Sequence, residues 1–146
     1  MVATIWRTKT DRMNQITPFE DLLSEAEAIQ EFLEEETPSE ISLVLMRGNE
    51  LLAYIARTGK MKADAKYWKE KKTRSAIMDT VKELGKDLMP ASTLNKLIDA
   101  NCEKEAMLLE WCDRLNRTAT HQVDWLRSGV SKEKEELRLS QGFNQR

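Results

Sequence analysis

The chain has few of the residues that form turns or cross-links in small folds. Its 146 residues include 5 glycines, 3 prolines, 2 cysteines and a single histidine. So few turn-forming residues argue against sandwiches and barrels, whose many short strands each need a turn. Cys102 and Cys112 fall within one predicted helix, about 15 Å apart at 1.5 Å per residue, which is too far for a disulfide. With His121 as the only histidine, a zinc site is not expected either, and we predict no cofactor.

Long apolar runs are also missing. No stretch reaches the roughly 18 apolar residues that a membrane-spanning helix requires, and the N-terminus lacks the apolar segment of a signal peptide. Charged residues make up 33% of the chain and apolar residues 40%, a balance typical of helices with long solvated faces. We therefore expect one soluble, all-α domain over residues 1–146, located in the cytoplasm and without a membrane partner.

Residues with catalytic chemistry do not form a recognisable pattern. The glycines are isolated, so a phosphate-binding loop is excluded, and no Glu-x-x-His pair for a di-metal site occurs. His121 has no assigned Ser or Cys nucleophile beside it. The sequence therefore predicts a protein that is not an enzyme and has no small-molecule substrate. An enzyme with an unrecognised helical site at His121 remains the alternative.

Helical periodicity is what the sequence does contain. Residues 1–16 are predicted to be a tail. The segment Thr17-Pro18 predicts the start of an acidic helix over 17–36, with Thr17 as its cap and Pro18 at the first helical position. Between residues 20 and 36 there are eight acidic residues and no basic ones. The apolar stripe of this helix consists of Phe19, Leu22, Leu23, Ala26, Ile29 and Leu33.

Residues 39–89 predict helix B, from Glu40 to about Lys72, followed by a shorter amphipathic helix. Ser39 is the predicted cap of helix B, and a break near Gly59 is the alternative. The first half of helix B carries two neighbouring stripes, which predicts burial on two sides. One of these stripes consists of Ile41, Leu45, Gly48, Leu52 and Ile55.

Residues 92–139 predict one long helix C, followed by a tail over 140–146. Its heptad seam runs from Ile98 to Leu137 and is polar at Glu105, Asn116 and Glu133, while a second stripe that includes Trp125 widens the predicted buried face. Helix B folded onto helix C would form a long antiparallel, coiled-coil-like helical hairpin; pairing with another copy of helix C is the alternative. The acidic helix or a second subunit completes the bundle, and we expect a homo-oligomer.

Basic residues cluster near the end of helix B. This cluster predicts contact with nucleic acid, because lysines on one helical face can follow a phosphate backbone. A salt-bridged or solvated face is the alternative, and the net charge of −2 argues against tight independent DNA binding. The predicted contact residues are Lys62, Lys66, Lys69, Lys71, Lys72 and Arg74.

Helix C carries motifs that suggest a biological context. In order, they are Leu115-Asn116, His121-Gln122-x-Asp124-x-Leu126-Arg127, and Ser131-Lys132-x-Lys134-Glu135-Glu136, preceded in helix B by Ala65-Lys66-x-x-Lys69-x-Lys71-Lys72. This pattern resembles small helical proteins of unknown function that tailed phages, prophages and related mobile elements encode, often among replication and recombination genes. The resemblance covers the C-terminal half to two-thirds of the chain and excludes the acidic helix. It implies a context rather than a reaction.

Together these features predict an accessory or adaptor protein of phage-type DNA metabolism. A protein of a DNA-processing complex is the expected partner, and the predicted contact residues on helix C are Arg117, His121, Gln122, Asp124 and Arg127. The alternative is an inhibitory or structural interaction protein whose acidic helix imitates a phosphate backbone and occupies a basic cleft.

Overall fold

The computed structural model describes residues 15–84 and 89–143. Within these ranges there are four helices and no strands: α1 (Phe19–Glu34), α2 (Ile41–Leu84), α3 (Ala91–Asn101) and α4 (Glu103–Phe143). The all-α prediction is confirmed. The predicted tail residues 1–14 and 144–146 lie outside the described residues.

The two long helices, α2 and α4, pack along each other in opposite directions. The side chain of Asn116 donates to the carbonyl oxygen of Ile55 at 2.9 Å, Lys62 Nζ lies 2.5 Å from Asp113, and the Thr73 hydroxyl lies 3.5 Å from Cys102 Sγ. Position therefore rises along α2 as it falls along α4. At 1.5 Å per residue these helices are about 65 and 60 Å long.

The main core lies where α1 covers the middle of this pair. One stripe of α1 packs against both long helices because its apolar residues recur every three or four positions. The buried residues are Leu22, Ala26, Ile29 and Leu33 of α1, Leu51, Met61 and Ala65 of α2, and Leu108, Cys112, Leu115, Ala119 and Leu126 of α4. A second, smaller cluster joins Ala76 of α2 to Ile98 and Cys102 at the end of α3.

Helix boundaries differ from the predictions in two places. Helix B does not end at Lys72 or break at Gly59, because α2 is continuous to Leu84. Helix C is interrupted at Cys102, which has φ −109° and ψ 14° and whose N–H is shared between the carbonyls of Ile98 and Asp99 at 3.2 Å each. At its other end α4 extends through 140–143, which were assigned to a tail.

The predicted helix caps also differ from those observed. Pro18, not Thr17, is the N-cap of α1. Thr17 instead ties the start of α1 to α2: its N–H donates to Asp64 at 3.1 Å, and its carbonyl accepts from Trp68 Nε1 at 2.8 Å. At the start of α2, the carbonyl of Glu40 accepts the first helical hydrogen bond, so Ser39 is not the cap.

Two predictions of burial are wrong for the single chain. Ile41, Leu45 and Leu52 are 42%, 56% and 54% exposed, because α1 lies on the opposite flank of α2. Trp125 and Leu137 of α4 are also exposed.

No helix within 15–84 or 89–143 combines the length and apolar character that crossing a bilayer would demand.

Candidate functional site

The structure divides the predicted nucleic-acid contacts between two faces of α2. Lys66, Lys69 and Arg74 line a hollow of about 450 Å³ that faces Leu109 of α4. Lys71 and Lys72 line another hollow, of about 330 Å³, beside Phe19 and Trp68. The six cations therefore do not form one continuous basic surface.

Neighbouring side chains neutralise half of these cations or engage them in other contacts. Lys62 is 2.5 Å from Asp113, and its hydrogen bond is the main reason that the pKa of Asp113 lies below its ordinary value. Lys66 lies 3.8 Å from Glu70, and the Lys71 ammonium lies 5.1 Å from the centre of the Trp68 ring. Within the described residues, ion pairs do not involve the three remaining cations of the set, Lys69, Lys72 and Arg74.

The predicted partner contacts on α4 are separated in a similar way. Arg117 pairs with Asp113 at 2.8 Å, and Arg127 pairs with Asp124 at 3.5 Å on the exposed side of the helix. His121 and Gln122 instead line a hollow of about 450 Å³ between α4 and the linker that follows α1. The Gln122 amide also donates to the carbonyl oxygen of Leu33 at 2.8 Å, so it holds the end of α1 in place.

Trp125 is the central residue of this region, and sequence reasoning assigned it to the core instead. Its side chain is 66% exposed. It borders the hollow that contains His121, and it also borders a second hollow of about 190 Å³ lined by Pro38, Ile41 and Val130 among others. The available sequence signal was its position directly before Leu126, because neighbouring helical residues cannot both point into one seam. The linker residues of this surface carried no comparable signal.

The polar residue Asn116 lies inside the seam between α2 and α4. Its Nδ2 donates to the carbonyl oxygen of Ile55 at 2.9 Å and to the hydroxyl of Thr58 at 3.0 Å. That hydroxyl in turn donates to the carbonyl oxygen of Tyr54 at 2.7 Å. These bonds fix the register of the two long helices, because a shift by one turn would leave the amide without these partners.

A half-buried ion pair joins α1 to α2. The guanidinium of Arg57 binds both carboxylate oxygens of Glu25 at 2.5 Å, and this hydrogen bonding is the main reason that the pKa of Arg57 is raised. Two arginines of α2, Arg57 and Arg47, therefore pair with acidic residues of the α1 region, Arg47 with Glu35 at 3.0 Å. The attraction between the acidic and basic segments is thus partly internal to the fold.

The two thiols are buried within the protein. Cys102 and Cys112 are both free, and burial is the main cause that raises the pKa of Cys112 to about 11. Such a thiol is almost fully protonated at neutral pH and is a poor nucleophile. Among the residues that the structure describes, no group of His, Cys, Asp and Glu side chains is arranged to hold a metal ion.

Comparison of the chain with protein-family models finds no match, and neither does comparison with curated proteins or with solved structures. The surface of the chain itself is therefore the basis for assigning a function. Its most distinctive part is the exposed tryptophan between two hollows.

Proposed function

We propose that the chain is a non-enzymatic, self-associating adaptor of phage-type DNA replication or recombination that binds a protein partner through α4 around Trp125. The exposure of Trp125, 66% of its side chain, is the observation that supports this proposal. An exposed indole is unfavourable in water, and tryptophan is among the residues most enriched in binding hot spots.

The surroundings of Trp125 have the composition of a protein interface. Apolar side chains, Leu126 and Ile41, line the hollows beside the indole, and the polar residues His121, Gln122 and Glu133 line the same two hollows. An apolar centre with a polar rim is the usual anatomy of such surfaces. In this proposal α2 and α4 form a long helical hairpin with a coiled-coil-like seam, which presents the surface rigidly.

The DNA context comes from the resemblance of the α4 motifs to phage and prophage proteins. The basic residues Lys69, Lys72 and Arg74 would contact phosphates at the other end of the α2–α4 pair, roughly 40 Å along α2 from the Trp125 surface. Their division between two faces of α2 supports weak contact rather than tight independent binding. A titration with single- and double-stranded DNA tests this part: affinity must fall as salt rises, because each phosphate contact releases counterions.

The adaptor role is tested by capturing partners from host extract with the full chain and then measuring the affinity of each captured protein. Trp125→Ala is expected to weaken binding at least about tenfold, as removal of a hot-spot tryptophan does. Met107→Ala is the matched control, since Met107 is another exposed apolar residue of α4 (49%), about 27 Å away along the helix. Equal binding by both variants would contradict the proposal.

The alternative function uses α1 in place of α4. The carboxylates on the outward face of α1 are exposed, and no basic residue separates them. Such a surface suits the basic cleft of a nucleic-acid-binding protein that the chain would inhibit. Under this alternative, Glu27→Gln with Glu31→Gln abolishes capture whereas Trp125→Ala leaves it intact; the adaptor proposal requires the opposite pattern.

A further inference from the structure

One face of α2 is apolar along 23 residues and is left largely uncovered by the rest of residues 15–84 and 89–143. It consists of Ile41, Leu45, Gly48, Leu52, Ala56, Gly59 and Ala63, a set that we call the outer strip. At 100° per residue these positions fall within about 80° of one another. None of them is buried, because α1 contacts the opposite flank of α2 through Arg47 and Arg57.

Among the residues that the structure describes, no close contact requires the two glycines of the outer strip. A Cβ atom at Gly48 would meet nothing within 4 Å, and one at Gly59 would meet only Asn116 Nδ2 at 4.0 Å. Each glycine makes the helix less stable than alanine would at the same position. A glycine on a helix surface allows another backbone to approach closely, so a second helix against the strip accounts for both.

The order of large and small residues identifies what that second helix is. The outer strip is large at its start, at Ile41 and Leu45, and small at its end, at Gly59 and Ala63. Reversed about Leu52, the strip places Ile41 opposite Ala63 and Leu45 opposite Gly59. When two copies of the strip run antiparallel, each large residue of one copy therefore faces a small residue of the other, as a two-fold symmetric interface requires.

We propose that a second copy of this chain packs antiparallel on the outer strip, with the two-fold axis at Leu52, so that two α2 helices and two α4 helices form a four-helix bundle. This deepens the self-association included in the proposed function. The α1 helices lie on the outside of this dimer, on the flank of α2 opposite the outer strip. Trp125 is not part of the strip, although it borders a hollow with Ile41 at the end of the strip.

Charge supports the same arrangement. With the axis at Leu52, Glu40 at the start of α2 in one copy lies at the level of position 64 in the other, about 3 Å along the axis from Lys66. Glu40 and Lys66 are both exposed in the single chain. Lys66 of each α2 therefore approaches Glu40 of the other copy, which favours association at low salt.

The available area is also of the right order. From Ile41 to Ala63 the strip is about 33 Å long and one helix wide. Together with the flank of α4 beside α2, the face that meets the other copy is roughly 20 Å wide, so that the strip makes up about half of it. The product is about 660 Å² of projected face, comparable with the roughly 800 Å² of accessible surface that each partner contributes to a stable complex.

Light scattering and sedimentation equilibrium on the full chain test the interface. The wild type is expected at about twice the 16.9 kDa of one chain. Leu52→Glu places two carboxylates at the axis and is expected to raise the dimer Kd about 100-fold or more. Met46→Glu is the matched control, because Met46 is 60% exposed on the same helix but lies about 120° away from Leu52; it is expected to leave the Kd unchanged.

The register is tested by exchanging sizes. Gly59→Leu alone is expected to raise the Kd at least about tenfold, because the new side chain meets Leu45 of the other copy. Adding Leu45→Ala is expected to bring the Kd back to within about threefold of the wild type. If the double variant stays as weak as Gly59→Leu, or if Leu52→Glu dimerises normally, the proposed interface is wrong. A monomeric wild type would overturn self-association as well, whereas the adaptor role is decided separately by Trp125→Ala.

Discussion

The two sides of α2 differ in how far the rest of the chain buries them. Leu51 and Leu52 are adjacent in sequence, yet Leu51 is fully buried and Leu52 is 54% exposed. The inner side packs against α1 and α4, while most of the outer strip is left open to solvent by the described structure, with Ile41 alone bordering a hollow beside α4. The difference shows that folding of the single chain uses only part of the apolar surface of α2, and that the remainder is available for association.

The same two sides of α2 also differ in their polar contacts. On the inner side, the buried Arg47 donates to the carbonyl oxygen of Phe32 at 2.6 Å and lies 3.9 Å from the centre of its ring. A cation there satisfies carbonyls at the end of α1 and suits its dipole. The outer strip has no polar side chain at any of its seven positions. Specificity on the inner side thus comes from hydrogen bonds, whereas on the outer strip it must come from shape.

The largest expected effect is on the free energy of unfolding and comes from truncating Leu51, the buried member of the two neighbouring leucines. Leu51→Ala is expected to lower the free energy of unfolding by about 2 to 5 kcal/mol, because it leaves a cavity in the core. Leu52→Ala, at protein concentrations that favour the monomer, is expected to change it by less than about 0.5 kcal/mol. Urea denaturation measures both. Similar losses would mean that the two sides of α2 do not differ in the single chain.

A smaller effect is expected at the seam between α2 and α4. Asn116→Ala removes the hydrogen bonds to Ile55 and Thr58 and is expected to lower the free energy of unfolding by about 1 to 2 kcal/mol. Thr120→Ala, one turn along the same helix at an exposed position, is the control and is expected to have little effect. Equal results for the two variants would show that the amide does not stabilise the seam.

The inner side should also give the protein a pH dependence. Burial raises the pKa of Cys112 to about 11 from an ordinary value of 9.0. Because the unfolded chain loses this proton first, the free energy of unfolding should be unaffected by Cys112 below pH 9 and should fall between about pH 9 and 11. Urea denaturation from pH 8 to 11 measures this slope. Cys112→Ala should reduce it, and an identical slope in that variant would rule out the thiol as its cause.

The smallest effect is expected from the end of α4. Every residue from 131 to 143 is exposed, so deletion of residues 134–146 is expected to change the free energy of unfolding by less than about 0.5 kcal/mol. Circular dichroism should show the loss of helix while the denaturation midpoint stays the same. A clear fall in the denaturation midpoint would mean that the end of α4 makes stabilising contacts that are not seen in the single chain.

Local sequence signals predicted some elements well and others poorly. The stripe of α1 was predicted correctly at Leu22, Ala26, Ile29 and Leu33, because a short amphipathic helix has one core to face. The continuity of α2 was missed because the basic run around Lys71 has no apolar residue to carry the pattern. The break at Cys102 was missed because neither proline nor glycine marks it.

Exposure was harder to predict than helix formation. A periodic pattern shows which residues share a face but does not show which helix covers that face. Ile41, Leu45 and Leu52 were therefore expected to be buried, and only the position of α1 shows that they are not. The seam of α4 likewise continues in sequence to Leu137, although α2 begins at Ile41, near Val130 and Glu133, and leaves Leu137 uncovered.

The way in which α1 is held has a consequence for synthesis of the chain. Its last turn is bound by Arg47 of α2 and by Gln122 of α4. A ribosome makes α1 before the other three described helices but adds Gln122 89 residues after Leu33, which is several seconds later at about 5 to 20 residues per second. During that interval the acidic helix leaves the ribosome without the part of its docking site that α4 supplies. The first of the four described helices to be translated is therefore among the last to reach its final place.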